Sequence, residues 1–190
     1  GATTAETKTT GVVNNITSIS IPKEIAVFNT SGKKIYEPNV TYKYEITGVT
    51  VADGVTIEGP VVGNANETIT AGVKSGEEGG ALFEGGISTA TLEFGNDDGN
   101  TAASIETSEE NTNLESAKKI SRSLTVNFDI TKFGAAGIYR YKIVETDENT
   151  SVAYVTRSSD EYNKVRYLDV YVRNKAAGGR EVYGAILFKS

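Results

Sequence analysis

Three separated runs alternate apolar and polar residues with the period of a pleated strand: Val40-Thr-Tyr-Lys-Tyr-Glu-Ile46, Ser123-Leu-Thr-Val-Asn-Phe-Asp-Ile130 and Val165-Arg-Tyr-Leu-Asp-Val-Tyr-Val172. Thr, Val, Ile and Tyr dominate them, side chains that fit a half-buried pleated surface. Turn clusters rich in Gly, Asn and Asp stand at 29–32, 95–100 and 176–179, and no stretch of helical period competes. The pattern predicts an all-β chain folded as an antiparallel, Ig-like β-sandwich, each strand with one face on the core and one in water. Residues 104–119 break the rhythm. They are polar and acidic with Leu114 almost the sole apolar anchor, and are expected to form a long irregular insertion at an edge. No repeat or linker divides the chain, so residues 16–190 are expected to be one domain and the Thr-rich residues 1–15 a flexible arm.

Composition removes most chemistry. A chain of 190 residues with 38% hydrophobic content can bury a substantial core on its own. It has no Cys, His, Met or Trp, which excludes thiol nucleophiles, Ser-His-Asp catalysis, His-ligated metals and disulfides. No cofactor and no metal are expected. The adjacent acids Glu77-Glu78 and Asp97-Asp98 lie in flexible runs rather than on opposed rigid strands, so glycoside hydrolysis has little support. Asn96-Asp-Asp-Gly-Asn100 lacks the spaced ligands of a calcium loop and reads as a polar turn. A net charge of -6 argues against nucleic acid, which is bound by clustered Lys and Arg. No apolar run reaches the ~20 residues of a membrane span. A mature secreted segment would have this character, and most of the ten Tyr are explained by packing within strands.

Two ionisable residues stand out against this background. Ser18-Ile-Ser-Ile-Pro-Lys-Glu-Ile-Ala-Val27 places Lys23 in an otherwise apolar strand, and Gly137-Ile-Tyr-Arg-Tyr-Lys-Ile-Val-Glu145 ends an aromatic strand on Glu145. Both fall where a sandwich core is expected. The plain alternative is a Lys that blunts an edge strand and a Glu exposed at a strand end.

The order of these segments resembles the N-terminal domain of Gram-positive backbone pilins, the streptococcal T-antigen or FctA-like group, with its Cna B-type isopeptide fold. The resemblance runs from about Ile16 onward. It is carried by the first strand with Lys23, the run from Val40, Val126-Asn-Phe-Asp-Ile-Thr-Lys-Phe133, the Gly-x-Tyr-x-Tyr-x-x-x-Glu piece ending at Glu145, and Tyr167-Leu-Asp-Val-Tyr-Val172. Residues 49–121 match poorly. What the resemblance implies is a structural subunit of a cell-wall-anchored pilus or adhesin, extracellular and joined to other pilin subunits by sortase. It also implies a self-generated amide crosslink with Lys23 as nucleophile, Glu145 as proton shuttle and an Asn as acceptor. The chemistry is coherent: an amine attacks only when neutral, burial favours the neutral forms of amine and acid, and contact makes the step effectively unimolecular. Beyond this autocatalytic step no enzyme activity is expected.

The acceptor departs from the pattern. It normally lies on the final strand, whereas Tyr183-Gly-Ala-Ile-Leu-Phe-Lys-Ser190 reads as a penultimate strand, or as a last one with Ser190 where Asn is expected. Asn174 is the nearest substitute in sequence. The open cases are an acceptor strand outside this sequence, a strand supplied by another chain, or a domain without the crosslink; a missing strand would leave an open edge for strand addition. No LPxTG-like motif is present, and Lys175 and Lys189 lie toward the end where a polymerising lysine is sought. The alternative function is a module binding a host glycan or matrix protein on the same scaffold.

Overall fold

The computed structural model describes residues 8–28, 35–36, 40–52, 57–69, 72–95, 104–105, 118–146 and 164–189. Among the described residues fourteen strands follow in chain order: β1 (Lys8–Thr9), β2 (Ser18–Val27), β3 (Ile35–Tyr36), β4 (Val40–Gly48), β5 (Ile57–Val61), β6 (Asn64–Ile69), β7 (Val73–Ser75), β8 (Ala81–Phe83), β9 (Thr89–Phe94), β10 (Ser104–Ile105), β11 (Lys118–Phe128), β12 (Gly137–Thr146), β13 (Val165–Asn174) and β14 (Arg180–Phe188). The main sheet has the order β1-β14-β13-β12-β4-β9, with β7 pairing parallel to β12. A smaller sheet, β2-β11-β8, packs on it, and β3–β10 and β5–β6 form two-stranded ribbons. Every other pairing is antiparallel. The chain is all-β and forms the expected antiparallel sandwich.

Alternation explains the main core. Ile19 and Ile21 of β2 and Leu124 and Val126 of β11 meet Tyr139, Tyr141 and Ile143 of β12 and Leu168, Val170 and Val172 of β13. Each set is spaced by two, as side chains on one face of a strand must be. After Phe128 the strand pattern stops. Asp129 caps a 3-10 turn over Ile130–Lys132, its Oδ1 accepting from the Thr131 N–H at 3.0 Å, and Phe133 follows fully buried.

The expectation of one wet face per strand fails at the centre of the sheet. Residues 168–172 of β13 are buried without interruption, and β14 is nearly so. Val73, Ile138, Tyr171, Ile186 and Phe188 form a second cluster on the far face, with Val51, Val61 and Val62 packed against it. Much of this cover comes from 49–121, the part of the chain that matches the resembled family poorly. Gly184 lets it settle: a Cβ there would lie 2.4 Å from Val62. Within this face the Tyr171 hydroxyl is buried and finds no hydrogen-bond partner among the described residues. Tyr171→Phe is therefore expected to be neutral or stabilising by about 1 kcal/mol in thermal unfolding, since it removes an unsatisfied buried group. A clear loss of stability would show that the hydroxyl is bonded after all.

Other expectations divide. The turn at 176–179 closes the β13–β14 hairpin, with Gly178 and Gly179 at φ +100° and +76°. The cluster at 29–32, residues 96–100 and residues 106–117 of the expected insertion lie outside the described residues, while Ser104–Ile105 pairs with β3 and Lys118–Lys119 already belongs to β11. Residues 8–15, within the expected arm, and Ile16 run along β14. Among the described residues no helix is long and apolar enough to cross a membrane.

Candidate functional site

Lys23 and Glu145 stand at inward positions of two facing strands, Glu145 at the last such position of β12 and Lys23 between Ile21 and Ile25 on β2. On β2 the inward set runs Ile19, Ile21, Lys23, Ile25, and on β12 it runs Tyr139, Tyr141, Ile143, Glu145. The same alternation that builds the core thus delivers an amine and a carboxylate to its rim. Lys23 Nζ lies 3.1 Å from Glu145 Oε1, with the Glu145 side chain 8% exposed and that of Lys23 29%. The Tyr44 hydroxyl donates to the same Oε1 at 3.5 Å, a position fixed by the register that sets Tyr44 opposite Glu145. Lys23 Nζ also stands 4.4 Å from the centre of the Tyr42 ring, a cation–π contact that holds the ammonium end inward.

A cavity of about 70 Å³ adjoins the pair and opens to solvent between the sheets. Pro22, Leu124, Ile143, Lys164 and Arg166 complete its walls around Lys23, Glu145 and Tyr44. That volume takes a small group such as a carboxamide or a water, since a water occupies about 30 Å³ in the liquid. Among the described residues no asparagine lines it. Asn174, the substitute acceptor, sits opposite Arg180 at the other end of β13. Val165 is level with Val144, and from Val165 to Asn174 the strand advances about 30 Å, so Asn174 cannot reach Lys23. Ser190 lies outside the described residues. Lys175 is exposed at the far hairpin and Lys189 half-buried at the near end of β14.

Sequence reasoning missed Tyr42, Tyr44, Lys164 and Arg166 as neighbours of the pair. The two tyrosines were visible only as members of an alternating strand; the β4–β12 register brings Tyr44 opposite Glu145, and the packing of the sheets brings the Tyr42 ring to Lys23. Lys164 and Arg166 carry no motif; they share the core-facing period of Leu168 and Val170. Among the described residues no group of three His, Cys, Asp or Glu residues could hold a metal ion.

No protein-family profile matches the chain, and no curated protein matches it. Among solved structures the chain is similar to the major pilin protein T3.2 from Streptococcus pyogenes, at 19% identity and a TM-score of 0.44 over 93% of this chain. It spans 48% of the length of that pilin.

Proposed function

We propose that this domain is a structural subunit of a cell-wall-anchored pilus or surface adhesin, and that Lys23 and Glu145 are built to form an intramolecular Lys–Asn amide. The observation that carries this reading is the 3.1 Å contact between Lys23 Nζ and Glu145 Oε1 at the rim of an apolar core. A lysine and a glutamate 122 positions apart are delivered there by two separate strands, beside a cavity of carboxamide size. The reaction balances without any co-reactant. Glu145 takes a proton from the Lys23 ammonium, and the free amine attacks the carboxamide carbon of the asparagine. Glu145 then returns its proton to the departing nitrogen, the carboxamide C–N bond breaks as a new C–N bond joins the two side chains, and the second proton of the attacking nitrogen passes through Glu145 to the ammonia, which leaves as ammonium.

The acceptor would come from a strand beyond Ser190 in a longer protein or from another chain. Strand β2 favours this: it is the terminal strand of its sheet, and its outer side has no strand partner among the described residues. A lock between the strands that begin and end the fold would resist force and proteolysis by holding the chain closed, as a disulfide does. Other subunits, joined through sortase, are the partners this reading implies, and the pilus on the cell surface is the place.

Intact mass under denaturing conditions tests it, on a protein extended past Ser190 and on its Lys23→Ala and Glu145→Gln variants. The expected result is a deficit of one ammonia in the unsubstituted protein, full mass in both variants, and a branched peptide containing Lys23 after digestion. Full mass in the unsubstituted extended protein would overturn the crosslink.

A further inference from the structure

The outer side of β14 is closed by an improvised strand. β1 contributes two residues to the ladder, Lys8 opposite Leu187 and Thr9 opposite Ile186. Beyond them the chain follows β14 through scattered bonds. The Thr10 N–H donates to the Ala185 carbonyl at 3.1 Å, the Ala185 N–H to Thr10 Oγ1 at 2.9 Å, the Val13 N–H to the Tyr183 carbonyl at 3.1 Å and the Ile16 N–H to the Val182 carbonyl at 2.9 Å. Arg173 Nη2 adds a bond to Asn14 Oδ1 at 2.7 Å. Apolar side chains contribute little to this attachment. Val12 is 59% exposed and Val13 49%, and Ile16 is the arm residue packed against the main core.

The connection to β2 is tight. The chain reverses within residues 14–17, which puts Asn15 at φ +52°, a region that side-chain-bearing residues adopt at a cost. Just after it the Thr17 carbonyl accepts from the Phe128 N–H at 2.8 Å, so the β2 side of the reversal is fixed and the arm side is the part that can swing.

We propose that residues 8–14 are an exchangeable strand hinged at Asn15: the arm of one copy leaves its own β14 and pairs with β14 of a second copy, which returns its arm in the same way. An identical segment offers identical hydrogen bonds in an identical register, so the exchange replaces every bond it breaks. Opening also lets Asn15 relax to an extended conformation, and a short strained hinge is the feature that promotes swapping. Opposing it is the high effective concentration of an arm tethered to its own sheet, so the exchanged form belongs to concentrated protein. This interface is independent of the Lys23–Glu145 site.

The absence of cysteine makes the test clean. Thr9→Cys/Ile186→Cys places two thiols on opposed residues of the β1–β14 pair, and oxidation followed by non-reducing denaturing electrophoresis reads which chain each arm has paired with. An intrachain crosslink is expected in dilute protein, and an interchain dimer in protein refolded at about millimolar concentration, where intermolecular pairing competes with a short tether. Adding Asn15→Pro, whose φ is held near −65°, should drive the interchain product at both concentrations, and Asn15→Gly should reduce it. A crosslink that stays intrachain in every background overturns the proposal, as does an Asn15→Pro chain with no crosslink, which would mean an arm that loosens without exchanging. Native mass spectrometry of the unsubstituted chain, mixed with an isotope-labelled copy and refolded concentrated, provides a reading without cysteines. Mixed dimers are expected there, and monomers alone count against exchange.

Discussion

Arg140→Met is expected to lower stability at neutral pH by about 3–5 kcal/mol, the usual cost of breaking a buried ion pair from one side. Arg140 and Asp169 are opposed residues of β12 and β13, joined by two parallel bonds, Nε to Oδ1 at 2.8 Å and Nη2 to Oδ2 at 2.9 Å. Asp169 is 2% exposed, and the Arg140 guanidinium lies over the Phe188 ring at 5.1 Å. Without the arginine, a carboxylate remains on the apolar far face of the sheet. Burial already pushes the Asp169 carboxyl above its ordinary value of 3.8, even against the pull of Arg140. A carboxyl whose folded value exceeds its unfolded one binds its proton more tightly when folded, so its contribution to stability rises as pH falls from the folded value toward the unfolded one. Removing Arg140 removes the influence that holds the folded value down. The deficit of Arg140→Met should therefore shrink on acidification, and denaturant titrations across the acid range measure it. The double change Arg140→Met/Asp169→Leu should cost less than Arg140→Met alone, because it leaves no charge behind. A deficit independent of pH would show that Asp169 keeps its charge by reaching water.

Phe133→Ala should be about as severe, at ~3–5 kcal/mol, because a buried aromatic ring leaves a cavity that a sheet cannot collapse to fill. Phe133 is fully buried, although it belongs to no strand. It follows the 3-10 turn and closes the end of the sandwich, its ring 4.8 Å from that of Tyr139. Gly80 backs the ring so closely that a Cβ there would lie 2.7 Å from its tip. The Phe133 carbonyl also accepts from Arg180 Nε at 2.8 Å, tying the plug to the start of β14. Urea unfolding should show a lower midpoint with an unchanged slope, and Phe133→Leu should recover much of the loss. A loss under about 1 kcal/mol would mean that the plug contributes little to the core.

The strands were legible because period-two patterning is a one-dimensional signal, and the runs at Val40, Ser123 and Val165 fall on β4, β11 and β13. The candidate pair was legible for the same reason, since Lys23 and Glu145 continue inward sets begun by isoleucines and tyrosines. What stayed hidden depends on pairing across sequence. Arg140 and Asp169 look like ordinary solvent-facing charges until their register opposes them, and only then can the far face of β12 and β13 be read as buried. The course of residues 8–16 along β14 leaves little trace in the sequence, because it rests largely on main-chain groups, which every residue carries, and on almost no apolar side chains.

The pairing of β1 with β14 has a consequence for the order of events during synthesis. Thr9 leaves the ribosome 177 residues ahead of its partner Ile186. At about 5–20 residues per second, the arm waits on the order of ten seconds before the edge that receives it has been made. Through that interval it is an extended, unpartnered segment, and neighbouring copies on one message are the nearest strand edges within reach.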